Sequence, residues 1–184
     1  MKIIVAGGGE VGASIAEKLS REKEDVIVID NNPERLAVVS DAIDGQTILG
    51  SAARPGILLE AGLKDADLFV AVTDNDEVNL LACQLAQILA PETTRVARIK
   101  DSGFLEELKV SGALDGLGLS LIIDPTTLVV DNIIDFLDIP GAGDVIDVSN
   151  GQLKLVGARL PRTHHNIGQT LAQALPREDG YHIL

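Results

Sequence analysis

Gly7, Gly9 and Gly12 stand in the segment Gly7-Gly8-Gly9-Glu10-Val11-Gly12, a G-x-G-x-x-G spacing suited to a loop that approaches phosphate. Each glycine meets a separate demand. Gly7 permits a tight turn, Gly9 lets the backbone come close to a pyrophosphate, and Gly12 lets the following helix pack on the preceding strand. The pattern alone is weak, but its context here is informative: Lys2–Ala6 reads as a strand and Val11–Arg21 as a helix. Such a helix start offers unpaired N–H groups and a positive dipole end to an anion. Asp30 closes the next apolar run, 18 residues after Gly12, where a carboxylate can accept both hydroxyls of an adenosine ribose. Asn31 and Asn32 follow it, and no adjacent cation welcomes a 2′-phosphate, so NAD(H) is expected over NADP(H). Arg35, on the next helix, works against that preference. The plainer readings are a glycine-rich turn without a ligand and an Asp30 that only caps the loop at Asn32-Pro33.

Further residues belong at the carboxyl edge of the same sheet. Thr73-Asp74-Asn75-Asp76-Glu77 leaves a fourth strand, where open α/β sheets bind ligands. Thr73 and Asp74 could reach the ribose or the second half of a dinucleotide. Alternatively, Asn75 or Asp76 caps the next helix while the acids complement its dipole, or the acids hold a cation. Arg98 interrupts the apolar strand Val96-Ala97-Arg98-Ile99, where an unpaired charge is costly. In a central strand its guanidinium would face a phosphate or a carboxylate such as Asp74; in an edge strand it would be solvated. Ser51, after Gly50 at the end of a third strand, either faces the nucleotide or makes a plain turn.

The proton-transfer groups of a dehydrogenase are missing from this neighbourhood. No histidine or tyrosine precedes His164, and a hydride-transfer enzyme usually places His, Tyr or Lys beside the reacting carbon. Lys64, Lys100 and Lys109 form no Tyr-x-x-x-Lys pair. Cys83, within the apolar run Leu80–Leu89, reads as core rather than nucleophile. A binding site without catalytic or metal-ligating residues is therefore expected. The rival is an NAD-dependent oxidoreductase in which His164-His165, in a truncated substrate domain, supplies the acid or base.

The elements that must position these residues alternate as β and α. Strands are expected at Lys2–Ala6, Val26–Ile29, Thr47–Leu49, Leu68–Val72, Val96–Ile99 and Leu119–Ile123. Helices are expected at Val11–Arg21 (with Val11, Ile15 and Leu19 on its apolar face), from Pro33 behind an Asn32 cap, and at Pro55–Ala61, Glu77–Leu89 and Gly103–Ser111. That order predicts an α/β fold: a Rossmann-type doubly wound parallel sheet flanked by helices. Beyond Asp124-Pro125, the helix Thr127–Leu137 carries more apolar surface than one buried face needs. Pro140-Gly141-Ala142-Gly143 reads as a linker. Val145–Val148 and Leu153–Ala158 read as strands joined by an Asn150-Gly151 turn, and Asn166–Leu175 as a helix. The expected organisation is a Rossmann domain over 1–124, a crossover helix and linker over 125–142, and the start of an α+β domain over 143–184. That last unit is small, so the chain reads as a fragment of a longer protein.

Composition narrows the partners. The chain has 184 residues, a net charge of −13, no tryptophan and 2% aromatic residues, which argues against nucleic acid. The apolar run before Gly7 is too short for a signal peptide. No run approaches the roughly 20 residues of a membrane span. The lone Cys83 cannot make an internal disulfide, which fits a reducing compartment.

Together, Gly7-x-Gly9-x-x-Gly12, Asp30, Gly50-Ser51, Val70-Ala71-Val72-Thr73-Asp74-x-Asp76-Glu77-x-Asn79 and Ala97-Arg98-Ile99 resemble the TrkA family. These are NAD-binding regulatory subunits of Trk potassium-uptake systems, also described as domains that regulate K⁺ conductance. The resemblance runs through residues 1–139, and Gly168-x-x-Leu171 is weakly similar to the start of the family's C-terminal domain. It implies that Gly7, Gly8, Gly9, Glu10, Val11, Gly12, Asp30, Ser51, Thr73, Asp74 and Arg98 line a site for NAD(H), with room for ADP or ATP. It also implies a cytoplasmic, peripheral position on the inner face of the membrane, beneath a membrane-embedded potassium-translocating subunit. Helix Thr127–Leu137 would pair subunits into dimers that build a ring. Relatives that respond to ATP carry an arginine in the glycine loop where this chain has Glu10, which puts ATP control in doubt.

Overall fold

The computed structural model describes residues 1–138, 142–147, 154–158, 163 and 167–170. Two compact units divide it, Met1–Val129 and Val130–Leu184.

The first unit carries a six-stranded sheet of β1 (Lys2–Ala6), β2 (Asp25–Asp30), β3 (Gln46–Leu49), β4 (Leu68–Ala71), β5 (Thr94–Arg98) and β6 (Leu121–Ile123). Their spatial order is β3-β2-β1-β4-β5-β6, and every pairing is parallel. Alternation within the strands feeds two cores. Ile3, Val5, Val26, Val28, Val70, Val72 and Val96 face one side, where they meet Ala16, Leu36 and Val39. Ile4, Ala6, Ile27, Ile29, Phe69, Ala71, Ala97 and Ile99 face the other, against Leu58, Leu63, Leu80, Cys83, Ala86 and Leu105. The first set of partners comes from α1 (Glu10–Arg21) and α2 (Pro33–Ala42). Apart from Leu63, the second comes from α3 (Pro55–Glu60), α4 (Asp76–Leu89) and α5 (Ser102–Val110). Burial on both faces explains the unbroken β-branched runs, and the fold is the expected doubly wound one.

Local chemistry sets several boundaries. The Asn32 side chain accepts from the amides of Glu34 and Arg35 and Pro33 takes the first helical position, so α2 begins as its sequence predicts. Asp124 does the same for α7 (Pro125–Asp138), accepting from Thr126 N, Thr127 N and the Thr127 hydroxyl. The expected start at Thr127 was late because a proline at the first position needs no amide partner. A 3₁₀ turn at Leu63–Asp65 and the short α6 (Ala113–Gly116) were not anticipated. Val11 departs from its expected place on the buried face: it is 41% exposed, while Gly12 and Ala16 are buried. Cys83 is fully buried with its thiol directed at the Val96 carbonyl, and burial pushes its pKa up to about 12, which removes it as a nucleophile.

In the second unit, β7 (Ala142–Asp147) and β8 (Lys154–Ala158) pair antiparallel. Ala142 and Gly143, expected in a linker, begin β7, because the antiparallel ladder reaches Ala142↔Ala158. The Asn150-Gly151 turn, His164, His165, Tyr181 and His182 lie outside the described residues, as does most of the expected helix Asn166–Leu175; its described part, 167–170, is not helical.

Candidate nucleotide-binding cleft

The strand order reverses at β1, which pairs with β2 on one side and β4 on the other. The loops leaving β1 and β4 must therefore part to opposite faces of the sheet, opening a crevice at its carboxyl edge. The glycine loop lies there. Gly7 has φ +111°, and a Cβ on it would stand 2.9 Å from the Thr73 amide nitrogen, so this loop and the end of β4 touch through bare backbone. At Gly12 a Cβ would come within 1.7 Å of the Gly7 carbonyl oxygen, which fixes how closely α1 approaches β1. Gly9 caps α1 without a side chain, leaving the amides of the first turn for a ligand.

Asp30 is tied to the backbone on both sides of the cleft's first wall. It is 6% exposed. Its Oδ2 accepts from the Gly8 amide at 2.6 Å and its Oδ1 from the Asn32 amide at 2.8 Å. Each carboxylate oxygen keeps a further lone pair for a ribose hydroxyl. The loop-capping reading is met by these two bonds, and they leave the carboxylate able to accept further donors.

Beyond β4, a buried amide holds the opposite wall. Asn79 is 0% exposed. Its Oδ1 accepts from Thr73 N at 2.9 Å and Thr73 Oγ1 at 2.7 Å, and its Nδ2 donates to Arg98 O at 2.9 Å. Thr73, just beyond β4, and Arg98, at the end of β5, are thus registered by one residue. The cap of α4 falls to Asn75, which accepts from Val78 N at 2.7 Å. Asp76 is instead buried and its Oδ2 accepts from Lys100 N and Asp101 N, both at 2.9 Å.

Arg98 lies in an interior strand, β5, between β4 and β6. It is 8% exposed, and its Nη2 donates to Thr73 O at 2.9 Å and Asp74 Oδ1 at 3.2 Å. Its Nε is buried without a hydrogen-bond partner. Asp74 also draws Lys100 Nζ to 3.9 Å and Arg35 Nη2 to 3.5 Å. Among the described residues no group of three or more acids, histidines or cysteines is arranged to hold a metal.

The structure therefore brings the glycine loop together with Asp30, Thr73, Asp74 and Arg98. Glu10 opens α1 with its side chain exposed. The Ser51 hydroxyl accepts from Ala53 N at 3.3 Å, which makes the local turn. Sequence reasoning named Asn79 within the family motif, Lys100 and Arg35, but did not foresee that Asn79 joins Thr73 to Arg98 or that Lys100 and Arg35 reach Asp74. Asn79 had a signal, since it is an amide on the buried face of an Ala/Leu-rich helix. No helix among the described residues is long and apolar enough to cross a membrane.

Known proteins resemble this chain in sequence and in fold. The chain is 36% identical to the Trk system potassium uptake protein TrkA of Halomonas elongata over 171 residues, 93% of this chain and 37% of that one. It is 38% identical to the TrkA of Vibrio alginolyticus over 159 residues, covering 86% and 35%. The chain thus spans about a third of the length of these relatives. Among solved structures it resembles the TrkA-N domain of the inner membrane protein ybaL from Escherichia coli, with a TM-score of 0.65, 18% identity and 74% and 96% coverage. It also resembles the AMP-bound C-terminal domain of Shewanella denitrificans Kef, with 0.59, 25%, and 74% and 80%. For the GsuK channel bound to NAD the values are 0.60, 17%, and 78% and 24%. Residues 3–117 match the TrkA-N domain, and the chain belongs to that family.

Proposed function

We propose that this chain is the nucleotide-sensing part of a regulatory subunit of a potassium-uptake transporter, and that its cleft binds NAD(H). The observation that carries the reading is the Gly8 amide bonded to Asp30 Oδ2 at 2.6 Å. It sets the ribose acceptor against the glycine loop whose helix faces the pyrophosphate. Gly7, Gly8, Gly9, Glu10, Val11 and Gly12 line the phosphate side, Asp30 takes the ribose, and Thr73, Asp74 and Arg98 form the far wall, with Ser51 beside the ribose. Support for the ligand class comes from relatives of the same fold bound to NAD and to AMP, and support for the transport role from the Trk naming of the sequence relatives.

In this reading residues 1–124 sense the nucleotide, 125–142 pair subunits into a dimer that builds a ring, and 143–184 begin a C-terminal domain. The ring sits at the inner membrane face beneath a potassium-translocating subunit. Occupancy then gates that partner only through differential affinity for its two states. Thermal unfolding with NAD⁺, NADH, ADP and ATP tests the ligand: one present at 100 times its dissociation constant adds about 2.7 kcal/mol. No shift with any of the four overturns the proposal.

A further inference from the structure

Three cations, one from α2 and two from the end of β5 and the loop leaving it, converge on one carboxylate. Asp74, with a side chain 67% exposed, lies 3.2 Å from Arg98 Nη2, 3.5 Å from Arg35 Nη2 and 3.9 Å from Lys100 Nζ. Two of the three are anchored elsewhere as well. Arg98 donates to the Thr73 carbonyl and Lys100 to the Asp74 carbonyl. Arg35 differs. It reaches across from α2, its side chain is 46% exposed, and its ion pairs are the 3.5 Å contact to Asp74 and one of 3.9 Å to Asp30. Both distances exceed those of a close charge-assisted hydrogen bond. Its Nη1 also stands 3.8 Å from where a Cβ on Gly9 would be. The guanidinium therefore lies over the glycine loop, between the ribose acceptor and the free amides of α1. A planar fork attracted by two carboxylates, and closely bonded to neither, suits a phosphate that offers two oxygens at once.

We propose that Arg35 is a specificity-determining residue that contacts the 5′-phosphates of the bound nucleotide, and that Asp74 competes with those phosphates for it. The inference rests on the adenine-nucleotide reading of the cleft. A 2′-phosphate is the wrong occupant, because it would lie against the Asp30 carboxylate. Asp74 thus holds the cation over the loop in the empty cleft and weakens binding by the share of attraction it must yield.

Calorimetry on the full chain at low salt tests this with NADH, NADPH, ADP and adenosine. Arg35→Gln is expected to weaken NADH and ADP about tenfold and to leave adenosine, which has no phosphate, unchanged. Arg35→Lys, which keeps the charge and loses the fork, falls between. Asp74→Asn is expected to tighten NADH severalfold in the wild-type background and not in the Arg35→Gln background. The unliganded melting temperature of each variant shows that it is folded. Wild-type NADH affinity in Arg35→Gln overturns the inference, and so does a tightening by Asp74→Asn that ignores Arg35. A wild-type preference for NADPH that Arg35→Gln abolishes also overturns it. In all three of these cases the nucleotide reading stands. A wild type that binds neither NADH nor ADP removes that reading itself.

Discussion

Asp30 accepts from the buried Gly8 amide and from Asn32, and the proposed function gives it the ribose hydroxyls as well. Asp30→Ala should therefore weaken NADH by roughly 1.5–3 kcal/mol and, by leaving the Gly8 amide unpaired, also destabilise the unliganded domain by about 1–3 kcal/mol. Calorimetry and denaturant unfolding read the two losses independently; unchanged NADH affinity would remove Asp30 from the site. Glu10 is the complementary case. Its carboxylate, at the start of α1, would repel ligand phosphates about 4–6 Å away by about 3–4 kcal/mol per unit charge at an effective dielectric near 20, and by less where water and salt screen it. The repulsion grows with ligand charge, so wild type is expected to prefer NADH to ATP and Glu10→Arg to narrow or reverse that order. Competition binding at low salt decides it, and equal ATP affinities for the two proteins would place the side chain away from the phosphates.

At the scale of elements, caps fix where helices begin and therefore where the cleft walls stand. α7 depends on Asp124, whose carboxyl is held below its ordinary pKa chiefly by the Thr127 hydroxyl, helped by the Thr127 and Thr126 amides and the Ser102 hydroxyl. A carboxylate whose pKa falls on folding stabilises above its unfolded value near 3.9 and loses that effect as pH falls through the folded one. Asp124→Ala should cost about 1 kcal/mol near neutrality. The gap to wild type should close below about pH 4. Amide exchange at Thr126 and Thr127, followed with pH, tests this locally; a gap independent of pH would show that the charged cap does not hold the helix.

The whole molecule poses a question of assembly. Leu128, Val129, Val130, Ile133 and Ile134 of α7 are each about half exposed, between 46% and 58%. Apolar patches of this kind usually mark interfaces. The proposed dimer predicts more than a monomeric mass by light scattering at micromolar concentration, and Ile133→Asp should shift that mass toward monomer. A dimer undisturbed by Ile133→Asp would move the interface off this helix.

The amino-acid order by itself determined whatever is settled within a few residues. The Asn32 and Asn75 caps bond amides two or three positions on, and the alternation of Ile3 and Val5 against Ile4 and Ala6 fixes two core faces within one strand. The glycine spacing is equally local, because its turn and its helix start are contiguous. Only the tertiary structure decided whether Arg98 is buried, since that depends on β5 lying between β4 and β6. It alone joined Gly8 to Asp30, Asn79 to both Thr73 and Arg98, and Arg35 to Asp74. It also exposed Val11, which helical periodicity alone had buried. These contacts depend on strand order and crossover hand, and a helix or strand pattern read along the chain carries no information about which strand becomes its neighbour.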